Sequence, residues 1–261
     1  MAYALVTGAT GGIGSELCDV LASRGHNLVL VARNEEKLES LARKLIDAYG
    51  IEAATIPCNL AEPGTADILH QATVDAGIKV DFLANNAGFG DQGAFLDASW
   101  ERQDEMVRLN VLALMRLSYL YGRDMRAAGA GRILNVASVA ALAPGPYMST
   151  YFASKAFVLS FSQALGEELA GTGVSVTALC PGTTATGFWE AAGMSANKVF
   201  SLMAMASPRD VAELGYEAAM SGRPVALHGV GVKLANIGSR IAPRRFATWL
   251  MGKVLARRSG A

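Results

Sequence analysis

Tyr151 and Lys155 stand four residues apart in the stretch STYFASKAFVLSFSQALGEEL, whose apolar spacing is that of a buried helix. Positions i and i+4 share a helix face, so the phenol and the ammonium are neighbours wherever this segment packs. A phenol titrates near pH ~10 and is a poor acid or base at neutral pH unless something stabilises its phenolate, as an adjacent ammonium can. Such a pair suits the reduction of a carbonyl or the oxidation of an alcohol, provided the chain also holds a hydride carrier and a carbonyl-polarising group. The same spacing arises by accident on ordinary helices, so the rest of the chain decides its meaning.

A carrier site is legible near the N-terminus. TGATGGIG, Thr7 to Gly14, follows an apolar strand candidate and opens the helical run GIGSELCDVLASRG. Gly8, Gly12 and Gly14 permit a tight turn, close backbone approach to a pyrophosphate and close helix packing, and the helix N-terminus attracts the anion. The spacing is G-x-x-x-G-x-G rather than the commoner G-x-G-x-x-G. Thr10 and Ile13, within the same turn, join these glycines as expected cofactor contacts. At the end of the second strand candidate, VLVARNEE places Ala32 and Arg33 where an NAD enzyme holds a carboxylate on the ribose 2′-hydroxyl. Arg33 can pair with a 2′-phosphate, which favours NADP (NADPH) over NAD, while Glu35 and Glu36 are the side chains that could instead reach a ribose.

These motifs need a scaffold. Apolar runs at Tyr3 to Thr7, Asn27 to Ala32, Ala53 to Pro57, Asp81 to Ala84, Arg132 to Val136, Ser175 to Cys180 and Pro224 to Leu227 alternate with helix-period segments. The alternation predicts an α/β fold with a doubly wound parallel sheet, a single Rossmann-type domain of about seven strands, with ligands beyond the carboxyl ends of the strands. The 261 residues suffice for one such domain, and no linker composition divides them. Formal net charge is zero, which gives no general reason to expect nucleic acid. Cys18, Cys58 and Cys180 form no Cys-x-x-Cys, and His26, His70 and His228 lack ligand spacing, so no metal site is expected. With a strand at the start of the chain and no apolar run of ~18 residues, the expectation is a soluble, cytoplasmic protein.

With TGATGGIG, the NNAG of residues 85–88, Asn110 in RLNV, Ser138 in ILNVAS and YFASK in that order, the sequence resembles the classical short-chain dehydrogenase/reductase family over residues 3 to 230. The separation of Ser138 from Tyr151 is the family's as well. The resemblance implies that Tyr151 is the acid that protonates the nascent alkoxide, or the base in the reverse direction. Lys155 lowers the tyrosine pKa and bonds the nicotinamide ribose, Ser138 donates to the substrate oxygen, and Asn110 holds a water linking Lys155 to solvent. It further implies that Asn85, Asn86, Ala87 and Gly88 line the adenine side, although this turn also stabilises the sheet. Asn59 and Leu60 end the third strand where the family usually has Asp, a departure expected to weaken the adenine contact. Pro181, Gly182, Thr184 and Thr186 belong to the nicotinamide side. The alternative in another class is a non-catalytic NADP-binding regulator of the same fold. An extended epimerase or dehydratase would add a larger C-terminal substrate domain.

Residues 187–207 read as a substrate lid made apolar and adaptable by Phe188, Trp189, Met194, Phe200, Leu202, Met203 and Met205, which points to a lipophilic fatty-acyl, steroid or xenobiotic carbonyl. Residues 231–261 form a separate basic tail: from Ala218 to Ala261 there is no acidic residue, but there are Arg223, Lys233, Arg240, Arg244, Arg245, Lys253, Arg257 and Arg258. Phe246, Trp249 and Leu250 among these cations suit a helix at an anionic membrane surface. Leu255 lies opposite that stripe, so packing against the domain or a second subunit of a homodimer or homotetramer is the competing reading. Steering of an anionic substrate is the third.

Overall fold

The computed structural model describes residues 2–184, 206–229, 231–232, 235–236, 238 and 243–256. Seven strands form one parallel sheet: β1 Ala2–Thr7, β2 Asn27–Ala32, β3 Ala53–Pro57, β4 Lys79–Asn85, β5 Gly131–Val136, β6 Val174–Cys180 and β7 Val225–Leu227. Their order is β3-β2-β1-β4-β5-β6-β7, the doubly wound arrangement that the alternation of runs predicts. The chain reverses direction across the sheet between β1 and β4, and there a crevice opens at the carboxyl ends.

Strand side chains alternate between two apolar layers, because successive residues of a strand point to opposite faces. Ala4, Val6, Leu28 and Leu30 pack with α1 Gly12–Ser23, α2 Glu35–Tyr49 and α7 Pro208–Met220. Leu5, Val29, Val31 and Leu83 pack on the other face with α3 Thr65–Asp75, α5 Leu114–Ala128 and α6 Ser149–Glu168. The shorter α4, Trp100–Val107, runs through a π-helical segment, Arg108–Ala113, into α5. A last helix, α8 Arg244–Leu255, follows Pro243.

Local chemistry fixes the elements that carry functional groups. Asn34 caps α2 by accepting from the Lys37 N–H at 2.8 Å, and Gly50 ends that helix in the left-handed conformation at φ 66°. In α6 the buried positions Tyr151, Ser154, Lys155, Val158 and Ser162 recur at helical spacing, so the tyrosine and lysine lie on the face turned inward.

Candidate active site

A cleft of about 530 Å³ opens over the carboxyl ends of the central strands. Its floor is the turn between β1 and α1. Gly8 adopts φ 66°, and a Cβ there would meet the Asn86 Nδ2 at 2.9 Å; a Cβ on Gly14 would sit 2.1 Å from the Gly8 carbonyl oxygen. Gly11 caps α1 without a side-chain bond and no acidic residue lies in its first turn, so the first N–H groups of the helix meet the cleft at Gly12, Ile13 and Gly14. This open helix N-terminus, lined also by Gly8 and Thr10, suits a pyrophosphate.

Arg33 and Lys37 line the same cleft. The Arg33 guanidinium is three-quarters exposed and its only ion-pair partner among the described residues is Glu105 at 3.8 Å, a loose surface pair that leaves it available to an anion. Glu35 and Glu36 do not line the cleft, so the charged side chains at this edge of it are cations. Lys37 was not anticipated from the sequence. The Asn34 cap starts α2 at Glu35 and so sets this lysine in the first turn of the helix, on the same cleft as Arg33.

Cys58, Asn59 and Leu60 form a further edge, with the Cys58 thiol pushed up to about 11 by burial and therefore protonated. The Asn59 carbonyl accepts from the Ala61 N–H at 3.2 Å and its amide donates to Glu62, which leaves one lone pair for an adenine amino group. Asn86, Ala87 and Gly88 line the cleft as expected. The Asn86 amide bonds the Thr7 and Gly8 carbonyls, tying the turn after β4 to the glycine loop. Asn85 departs from expectation. It is still part of β4, its side chain is buried, and it donates to Ser118 at 3.0 Å and Asn135 at 2.9 Å inside the sheet–helix layer.

The cluster around Tyr151 is drawn together from β5, its following turn and α6. Ser138 accepts from the Ala140 N–H at 3.1 Å, capping a short 3-10 turn, and its hydroxyl shares a hydrogen bond with Tyr151. The serine oxygen keeps a second lone pair and its own hydrogen, so either hydroxyl can be the donor of that bond. The Lys155 Nζ donates to the Val136 carbonyl at 2.8 Å and lies 5.9 Å from the centre of the Tyr151 ring. A Cβ on Gly88 would lie 3.4 Å from that Nζ and 2.9 Å from the Asn110 Oδ1, so a bare glycine makes room for both.

One expectation is corrected here. The lowered tyrosine pKa is not found: burial pushes the Tyr151 hydroxyl up to about 12, opposed by the Ser138 hydrogen bond. Burial instead lowers the Lys155 ammonium to about 8. Asn110 is buried in the π-helical segment, donates to the Phe89 carbonyl at 2.9 Å and Ser154 Oγ at 3.1 Å, and accepts from the Phe89 N–H. It does not line the cleft, and only one lone pair of its carbonyl remains for a water.

Pro181, Gly182 and Thr184 close the cleft after β6, with Thr184 bonded back to the Gly182 carbonyl at 3.1 Å. Thr186, Phe188 and Trp189 lie outside the described residues, as does 187–205 of the expected lid. In the basic tail, Lys233, Leu234, Ile237, Arg240, Ile241, Arg257 and Arg258 do so too. Leu255 is buried while Phe246, Trp249 and Leu250 are exposed, so the opposed faces expected of α8 are present and one of them packs on the domain. No described helix is long and apolar enough to cross a membrane.

Residues 2–196 match the short chain dehydrogenase family. The chain is 34% identical over 184 residues to the 7beta-hydroxysteroid dehydrogenase of Collinsella aerofaciens, covering 70% of this chain and 69% of that protein. Its fold is similar to the short-chain dehydrogenase from Sphingobium yanoikuyae in complex with NADPH, with a TM-score of 0.82 and 30% identity over 100% of this chain and 98% of that one. It is also similar to the bulky-bulky ketone specific alcohol dehydrogenase from Comamonas testosteroni, with a TM-score of 0.78 and 28% identity over 100% and 97% of the two chains.

Proposed function

The chain belongs to the short chain dehydrogenase family, and from that premise we propose that it is an NADPH-dependent oxidoreductase interconverting a bulky lipophilic ketone or aldehyde with its alcohol. The observation that carries the reading is the meeting of Ser138, Tyr151 and Lys155 at one wall of a cleft whose floor is an uncapped helix N-terminus and whose far edge carries Arg33 and Lys37. When bound, NADPH supplies the hydride for the carbonyl carbon.

The protein's part is binding and proton management. The first N–H groups of α1 take the pyrophosphate, and Arg33 with Lys37 takes the 2′-phosphate. Asn59, Leu60 and the Asn86–Ala87–Gly88 turn bound the adenosine side, while Pro181, Gly182 and Thr184 bound the nicotinamide side. Ser138 donates to the substrate oxygen and holds it against Tyr151. Burial keeps the Tyr151 hydroxyl neutral throughout the physiological range, so Tyr151 is a proton donor ready for reduction. An alkoxide is about as basic as hydroxide and far more basic than a phenolate, so proton transfer from Tyr151 to it is downhill. The Lys155 ammonium then faces the phenolate, and its two remaining N–H donors serve the cofactor ribose. Asn110 supports this arrangement by fixing Phe89 and Ser154.

The apolar composition of residues 187–207 and the substrates named for the steroid and bulky-ketone relatives support a lipophilic substrate. Leu112, Met115 and Tyr119, exposed along the π segment and α5, support a homo-oligomer. Phe246, Trp249 and Leu250, exposed beside Arg244 and Arg245, support peripheral contact with an anionic membrane. NADPH consumption across a panel of aldehydes and ketones, with NADH as control, tests the central reading. Tight NADPH binding without turnover of any carbonyl would instead favour a non-catalytic NADP-binding regulator.

A further inference from the structure

We infer that Glu105 is a specificity-determining residue for the cofactor: its carboxylate competes with the 2′-phosphate for Arg33 and so moderates the preference for NADPH over NADH, an inference that rests on the NADPH reading above. The Arg33 Nη1 stands 3.8 Å from the Glu105 Oε1. This pair links the segment after β2 to the helix after β4, the strands on either side of β1. Arg33 lines the cleft and Glu105 does not, but Leu109, four residues further along the same helical run, does. The carboxylate thus stands just behind the cleft edge, in contact with the cation that a 2′-phosphate would recruit.

The other acids of α4 find their partners locally. Glu101 accepts from the Ser99 hydroxyl at 2.7 Å, and Asp104 accepts from the Arg108 Nε at 2.6 Å. Among the described residues, Glu105 is the acid of this helix whose ion pair reaches the cleft. Its two partners differ in how firmly they are placed. Glu105 is 34% exposed and adjoins Met106, which is fully buried in the cluster around Tyr151, so α4 is anchored at this point. Arg33 is 75% exposed at the end of a long, flexible side chain. Recruitment by a phosphate therefore moves Arg33 and leaves Glu105 where it is. A guanidinium offers a phosphate two parallel N–H donors, which one loose contact with a carboxylate does not match, so the phosphate wins the exchange. Whatever the ion pair contributes in the free protein is then subtracted from the affinity for NADPH, and Glu105 is left as an unpaired like charge behind the phosphate's own partner. NADH lacks that phosphate and leaves the pair intact, so it bears neither cost.

The test is calorimetric titration of the full-length protein with 2′,5′-ADP and with 5′-AMP, which differ by the 2′-phosphate alone and need no turnover. Glu105→Gln is expected to tighten 2′,5′-ADP about three- to fivefold at low ionic strength and to leave 5′-AMP unchanged. Glu105→Lys should tighten 2′,5′-ADP further, and both gains should shrink in about 1 M salt, where the screening length is ~3 Å. Glu101→Gln, the same change of charge one helical turn away, leaves both constants as they are. In an Arg33→Ala background the gain from Glu105→Gln should fall well below its wild-type value, because the competition has lost its object. Folded Glu105→Gln and Glu105→Lys proteins with the wild-type ratio of the two constants overturn the inference, as does a gain equally large with and without Arg33. A wild type that binds 2′,5′-ADP no more tightly than 5′-AMP, with Arg33→Ala changing neither, overturns the NADPH reading instead.

Discussion

Lys155 is a buried cation, and its cost to the fold can be read from its titration. Burial lowers its pKa from 10.5 to about 8 in the folded protein. A group held below its unfolded pKa binds fewer protons folded than unfolded between those two values, so it makes stability rise with pH across roughly pH 8 to 10.5. The shift of about 2.5 units corresponds to ~3 kcal/mol that charged Lys155 costs at pH 7 and that vanishes once the lysine is neutral in both states. Lys155→Met removes this charge but also the bond from Nζ to the Val136 carbonyl, a loss of ~1–3 kcal/mol. The net change at pH 7 is therefore small or stabilising, and it turns destabilising by pH 10.5. The assay is urea unfolding of both proteins at pH 7, 8.5 and 10.5. The difference in stability between them should move by about 3 kcal/mol over that range in favour of the wild type. Parallel curves, with a difference constant to within ~0.5 kcal/mol, would show that Lys155 is not buried as a charge and would refute the reasoning.

Three further outcomes follow from the site. Arg33→Ala should weaken NADPH by ~1.5–3 kcal/mol and leave NADH nearly unaffected, with Lys37→Ala acting in the same direction; equal loss for both cofactors in a binding titration would remove the 2′-phosphate role. Gly14→Ala sets a Cβ against the Gly8 carbonyl, so it should abolish NADPH binding and lower stability by ~1–3 kcal/mol, and a variant that binds normally would show that the turn is less tight than described. For the outer face of α8, sedimentation with phosphatidylserine vesicles should be salt-sensitive and should fall in the Phe246→Ala, Trp249→Ala double variant; no binding by the wild type assigns that face to another partner.

Much of this architecture was legible in the sequence, for identifiable reasons. All seven strands lie within a few residues of their expected bounds, because parallel strands covered on both faces read as short continuous runs of Val, Leu and Ala. The glycine loop, Ser138, Tyr151 and Lys155 meet because strand ends in a parallel sheet converge on one crevice. What escaped depends on three-dimensional facts that local pattern does not encode. Extending β4 through Asn85 turns that side chain inward and leaves the cleft to Asn86. Lys37 joins Arg33 only because of where Asn34 starts α2. The Tyr151 pKa depends on the depth of burial at its face of α6, which sequence spacing to Lys155 does not report. The contact of Met251 and Leu255 with the Tyr151 cluster spans a sequence separation of about a hundred residues, and no periodicity within α8 reveals it.

The central claim is that Tyr151 delivers a proton to a substrate oxygen while the rest of the cleft holds NADPH. Single-turnover oxidation of bound NADPH, followed at its absorbance with a bulky ketone and compared between wild type and Tyr151→Phe, tests it most directly. The account predicts that the Phe variant binds NADPH with an unchanged dissociation constant and loses about 10²–10⁴ of the reduction rate. The wild-type rate should also fall as pH rises through about 8, where Lys155 gives up its charge. A Phe variant that oxidises NADPH at close to the wild-type rate would contradict the account.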